Sequence, residues 1–281
     1  MPAQQTLRCA ATASGVGVHS GVRCRVTLEP APPEHGLRIV RADHPGATPV
    51  PIDVCAVVDS RLATVLGGDG WRVATVEHLL AALRALGVDN ALLAVEGPEI
   101  PVLDGSALPW VELLRDTGLL HQDTPRKTLV LRREIAVADG ARAARLAPCA
   151  TLRLEASIHY PHPSIGSQKR ASDVESFATD IAPARTYGFL HEVEAMRAAG
   201  LGRGGSLDNA VVYGPEGPLN PGGLRFPDEP VRHKLLDMVG DLALVGMPVR
   251  GCFSAHLPGH ALNARLVRAL LDTPDAWEIE V

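Results

Sequence analysis

The sequence predicts an α+β fold built from two similar halves, and three observations carry that prediction. Strand-like runs rich in alternating or β-branched residues lie at 23–28 and 91–95, and again at 128–131 and 151–159. Each half also holds a helical segment that opens near a histidine and stops at a glycine, 75–87 in the first and 231–246 in the second. Between the halves, the polar stretch 121–127 (HQDTPRK) reads as a linker or domain boundary. Aligning His78 with His233 superposes the two helical segments and suggests a duplicated strand-and-helix unit, two α+β layers facing each other.

Composition agrees with a packed protein. Hydrophobic residues make up 46% of the 281 positions and charged residues 21%, which is enough apolar surface for a core. Aromatics are only 4%, so Leu, Val and Ala must fill it. A net charge of −5 argues against a broad nucleic-acid surface. Cys9, Cys24, Cys55, Cys149 and Cys252 fall at no metal-finger or redox spacing and are expected as buried, reduced thiols. The N-terminus lacks a charged region followed by an apolar run, and no stretch is apolar for long enough to span a bilayer. A soluble cytoplasmic protein is the expectation. No signal for oligomeric state is readable.

The first helical segment is apolar nearly all round, with Arg84 alone left to meet water, so it should be buried. His78 sits in its first turn, on the side shared with Ala82 and Ala85. A histidine there needs a hydrogen-bond partner or a metal, and position alone leaves both readings open. Glu77 suits the positive end of the helix dipole, and Thr75 would be the N-cap. In the second segment His233, Asp237 and Asp241 recur every four residues and share one face. That stripe is either the solvated side of an amphipathic helix or a way to hold a His and a carboxylate for one metal. With a His from another helix it gives three ligands and an open position. Two His and one carboxylate suit Zn²⁺ and Fe²⁺ alike. Further on, Pro258-Gly259 marks a turn that puts His260 on or beside a loop, where it could act as a general acid. The glycine-rich stretch 200–206 (GLGRGGS) lacks the lysine of a nucleotide P-loop.

Seven segments, taken in order, closely resemble the UDP-3-O-acyl-N-acetylglucosamine deacetylases, the zinc amidases of lipid A biosynthesis. They are 15–21 (GVGVHSG), 75–83 (TVEHLLAAL), 99–107 (EIPVLDGSA), 184–189 (ARTYGF), 222–226 (GGLRF), 231–237 (VRHKLLD) and 259–263 (GHALN). The resemblance implies two domains, 1–126 and 127–281, each with helices packed on a small sheet and the active site between them. It matches His78, His233 and Asp237 to the zinc ligands, Glu77 to the general base and His260 to the general acid. Asp241 matches the carboxylate that orients that histidine, Thr186 an oxyanion donor, and Lys234 a cation near the substrate. Tyr160 and Tyr187 fall where aromatics contact the nucleotide and sugar. The stretch 193–212 looks like the insert that forms an acyl-chain passage, with Gly202, Leu207 and Val212 as lining. At Leu257 the sequence departs from the pattern, because many relatives carry there a Lys that contacts the diphosphate. His256 or Lys234 would have to compensate.

The residue types suit amide hydrolysis. An acetamide is a poor electrophile and neutral water a poor nucleophile, so a Lewis acid, a base and an acid are all needed. Two rival readings are a non-haem iron oxygenase on the same triad and a binding protein that kept the fold. The acid–base pair Glu77 and His260 speaks against both, since neither would need it.

Overall fold

The computed structural model describes residues 2–281. Its first half contains a five-stranded sheet in the order Ala11–Val16, Arg23–Pro30, Ala91–Glu96, Leu37–Arg41, Val50–Pro51. The strand Arg23–Pro30 shows why these residues form a half-buried strand. Cys24, Val26 and Leu28 point inward while Arg23 and Arg25 point to water. A three-stranded sheet, Val57–Asp59, Val65–Gly68 and Trp71–Val73, leads directly into helix α1, Glu77–Ala85. Helix α2, Leu108–Thr117, begins with Pro109 in its first turn and stops at Gly118, whose φ of 74° disfavours other residues.

The second half is built around the strand Val249–His256. It runs parallel to Leu152–Tyr160 on one side and pairs with Arg142–Ala147 and Thr128–Leu131 on the other. The C-terminal strand Trp277–Glu280 closes this sheet against Thr128–Leu131. A small sheet of Tyr187–Phe189, Val211–Gly214 and Gly217–Pro218 carries helix α3, Leu190–Ala198, which buries none of its residues. Helices α4, Glu229–Leu242, and α5, His260–Leu271, complete the half.

Helices packed on sheets make this an α+β fold. The buried faces of both large sheets and of α1, α2, α4 and α5 join one hydrophobic core, which includes Leu28, Leu93, Leu80, Trp110, Leu236, Phe253 and Leu266. Helix α1 packs along α4, and a Cβ at Gly240 would collide with the backbone carbonyl of Glu77. Glycine is what lets the two helices approach backbone to backbone at that point.

Several expectations need correction. The stretch expected as a linker is the strand Leu119–Pro125, paired antiparallel with Ala3–Leu7, and Arg126 beyond it bridges Asp89 at 2.8 Å. Arg84 meets water only in part: the residue is half-buried, its Nε and Nη2 are buried without a hydrogen-bond partner, and burial lowers its pKa to about 10. Of the five cysteines only Cys24 is buried, while Cys9 and Cys55 are exposed. The stretch 193–212 takes in the end of α3, a loop and the start of the strand Val211–Gly214. No helix among the described residues is long and apolar enough to cross a membrane.

Candidate metal centre

Helix α4 begins at Glu229, with Pro230 in its first turn, and turns His233, Asp237 and Asp241 to one buried face. Helix α1 brings His78 against that face. Ligand atoms of His78, His233 and Asp237 all lie within 4.8 Å of one another. Asp237 Oδ1 is 3.4 Å from His233 Nε2 and 3.8 Å from His78 Nε2. That oxygen is buried and has no hydrogen-bond partner, whereas Oδ2 accepts from Lys234 Nζ at 2.9 Å. An orphaned carboxylate oxygen facing two imidazole nitrogens is what a divalent cation would satisfy. The backbone supports the same geometry. The carbonyl of Ala184 lies 3.0 Å from His233 Nδ1, so that nitrogen carries the proton and Nε2 keeps its lone pair.

The electrostatics keep this set ready to ligate. Burial, helped by His233, pushes the His78 pKa down to about 3, so its imidazole is neutral. His233 is lowered for the same first reason. Burial alone would raise the Asp237 carboxyl. Lys234 and the neighbouring histidines outweigh that and hold it below the usual carboxylate range. Lys234 in turn is raised: burial opposes its charge, but Asp237, with Tyr160 and Asp241, together outweighs it.

Beside this cluster stand an acid and a base. Burial raises Glu77 to about 7, with Asp237 and Asp241 adding to it against the pull of His260. Glu77 Oε1 lies 3.6 Å from His260 Nε2. His260 is the first residue of α5, a helix that the turn at Pro258-Gly259 did not foretell. Its burial, like a helix N-terminus, disfavours the imidazolium. Asp241, 2.9 Å from Nδ1, and Glu77 prevail and raise His260 to about 10. The site therefore sets a carboxyl raised above its usual range next to an imidazole held toward its protonated form.

The start of α1 is set by strain rather than by an N-cap. Thr75 has a φ of 59°, costly for a β-branched residue, and Val76 occupies the cap position. The Thr75 hydroxyl donates to Glu99 Oε1 at 2.7 Å instead of capping the helix. The buried Glu99 carboxylate also accepts from His19 N, Ser20 N and Ser20 Oγ at 2.7–3.0 Å, which ties the turn at 17–20 to the base of α1.

Of the other sequence-predicted residues, Tyr187, Tyr160 and Lys234 are linked by contacts to this centre. Tyr187 has its ring 6.1 Å from that of His233, and its hydroxyl is 3.0 Å from that of Tyr160. Thr186 follows the stretch that holds His233, and its N–H donates to Gly105 O at 2.7 Å. Lys234 Nζ sits 5.6 Å above the Tyr187 ring. Leu207 is exposed, Gly202 is in a left-handed turn and Val212 is half-buried. Leu257 has a φ of 51° and donates its N–H to Ser157 O, while His256 Nδ1 pairs with Ser157 Oγ at 2.8 Å.

Two residues at the site carry no role in the sequence reading. Asn263 donates to Asp241 Oδ2 at 2.8 Å, and Thr64 donates to Asp241 Oδ1 at 2.5 Å. Asn263 lies one helical turn after His260, a spacing that could have flagged it. Thr64 is 177 residues from Asp241 and lies in none of the segments described above.

Comparison with known proteins agrees with this geometry. The LpxC family, UDP-3-O-acyl N-acetylglycosamine deacetylase, matches residues 4–272. A UDP-3-O-acyl-N-acetylglucosamine deacetylase of Myxococcus xanthus is 48% identical over 98% of this chain and 88% of its own length. Those of Syntrophotalea carbinolica and Chromobacterium violaceum are 48% and 46% identical, over 98% of this chain and 90% and 92% of their lengths. With the match spanning nearly every described residue and a three-ligand metal cluster at its centre, the chain belongs to the UDP-3-O-acyl-N-acetylglucosamine deacetylase family.

Proposed function

We propose that this protein hydrolyses the N-acetyl group of UDP-3-O-acyl-N-acetylglucosamine, releasing acetate and leaving the free amine, as a step of lipid A biosynthesis in the cytoplasm. The observation that carries the proposal is the pairing of a His78–His233–Asp237 ligand set with Glu77 and His260, whose side chains stand 3.6 Å apart. Zn²⁺ is the proposed occupant, with Fe²⁺ able to use the same donors. When bound there, the metal supplies Lewis acidity toward the amide carbonyl and the attacking water.

The chain's own groups do the rest. Glu77, raised to about 7, takes the proton of the attacking water; such a base contributes roughly 10²–10⁴-fold. The Thr186 hydroxyl and the Lys234 ammonium stabilise the oxyanion of the tetrahedral intermediate. His260, protonated at neutral pH, gives its proton to the leaving nitrogen, and Asp241 keeps that imidazole oriented. Tyr160 and Tyr187 face the sugar nucleotide. The acyl chain follows the insert at 193–212, past Gly202, Leu207 and Val212. In this reading the domains are 1–126 and 127–281, with the substrate held between them. His256 or Lys234 takes over the diphosphate contact that Leu257 cannot make.

The direct test is mass-spectrometric detection of acetate loss from UDP-3-O-acyl-N-acetylglucosamine, with metal analysis of the same sample. Turnover that tracks bound metal is the expected result. Full activity after rigorous metal stripping would sink the proposal.

A further inference from the structure

We propose that Thr64 is a positioning residue that sets the base and the acid of this site in register with each other. The inference rests on the acid–base roles of Glu77, Asp241 and His260 given above. Thr64 is buried, immediately before the strand Val65–Gly68. All three of its polar groups are engaged. Its N–H donates to Glu77 Oε2 at 3.1 Å, its hydroxyl donates to Asp241 Oδ1 at 2.5 Å, and its carbonyl accepts from Val76 N at 3.4 Å. Among the described residues, no other is hydrogen-bonded both to the Glu77 carboxyl and to the carboxylate that holds His260.

Each bond selects one oxygen. With Glu77 Oε2 tethered to the Thr64 N–H, Oε1 is the oxygen turned toward His260 Nε2, and so the one presented for proton transfer. Asp241 has no exposed surface, so both its oxygens need donors. Oδ2 accepts from His260 Nδ1 and Asn263 Nδ2, and Oδ1 has the Thr64 hydroxyl alone. Removing that hydroxyl leaves a buried carboxylate oxygen without a donor. The carboxylate can then rotate, and the imidazole loses its fixed orientation. A geometry kept within a few tenths of an ångström by supporting residues is what proton transfer in both directions requires.

The test is a double-mutant cycle on the metal-loaded enzyme, with kcat, KM, bound metal and thermal midpoint measured for T64V, T64S, D241A and T64V/D241A. T64V keeps the shape and the backbone N–H and removes only the hydroxyl. Its kcat should fall about tenfold to a hundredfold, the worth of one charge-assisted hydrogen bond, with KM and metal content unchanged. T64S should recover to within about threefold of wild type. In the D241A background T64V should cost nothing further, because its effect passes through Asp241. A T64V enzyme with wild-type kcat, an equal loss in the D241A background, or a loss that T64S leaves unrepaired would each overturn the inference. If T64V does not fold, T64A takes its place in the same cycle with the same outcomes. A wild-type enzyme inactive on the acetylated substrate would bring down the parent reading and this one together; an active wild type with an indifferent T64V would bring down this one alone.

Discussion

At the scale of single residues, the site raises the pKa of both its acid–base groups, the carboxyl proposed as base and the imidazole proposed as acid. The Glu77 carboxyl is raised to about 7 and the His260 imidazole to about 10. A base must be deprotonated, so activity rises with pH as Glu77 loses its proton. An acid must be protonated, so activity falls as His260 loses its own. The expected profile is a bell, and a bound divalent cation moves both limbs to lower pH by disfavouring the protonated forms. The check is kcat/KM against pH for wild type and His260→Ala. The variant should lose most activity along with its alkaline limb, and an unchanged limb with full activity would refute the assignment. The sequence made part of this legible. Spacing put His233, Asp237 and Asp241 on one helix face, while His78 was open between structural and ligating roles until the ordered motifs entered. Thr64 could not be read at all, since its partners are fixed by tertiary contact and by no period along the chain.

Elements were legible where local chemistry decides them. The stop of α1 follows from Gly87, with its positive φ, and α4 runs on through a short turn to Gly246. They were less legible where a distant partner decides. The polar run before Lys127 becomes a strand because Ala3–Leu7 lies beside it. Thr75 fails as an N-cap because Glu99 claims its hydroxyl. The α1–α4 crossing gives a prediction of sign. In an exposed helix Gly→Ala stabilises by about 1 kcal/mol. At Gly240 the new methyl meets the carbonyl of Glu77, and overpacking of that kind costs about 1–3 kcal/mol. Gly240→Ala should therefore lower the urea midpoint and reduce turnover, because the displaced atom belongs to the proposed base. An unchanged or raised midpoint would show that the helices can separate freely.

Across the whole molecule, the three candidate ligands come from α1 in the first half and α4 in the second, and Asp104 bridges Arg225 between the same halves at 2.8 Å. A metal bound to all three ligands stabilises the folded chain by mass action, about 2.7 kcal/mol at a concentration a hundred times the dissociation constant. Thermal unfolding with and without chelator should show that difference in wild type. His78→Ala should lose both the shift and nearly all turnover, and a His78→Ala protein that kept the full shift would remove His78 from the ligand set.

The meeting of α1 and α4 at Gly240 also has a consequence for assembly. The nascent or refolding chain owns His233, Asp237 and Asp241 on one segment and Glu77 with His78 on another, more than 140 residues apart in sequence. Neither segment alone assembles the three ligands, and neither alone pairs the base with the acid. Hydrolytic competence therefore requires both segments in place, and a copy in which α1 and α4 have not met lacks the assembled site.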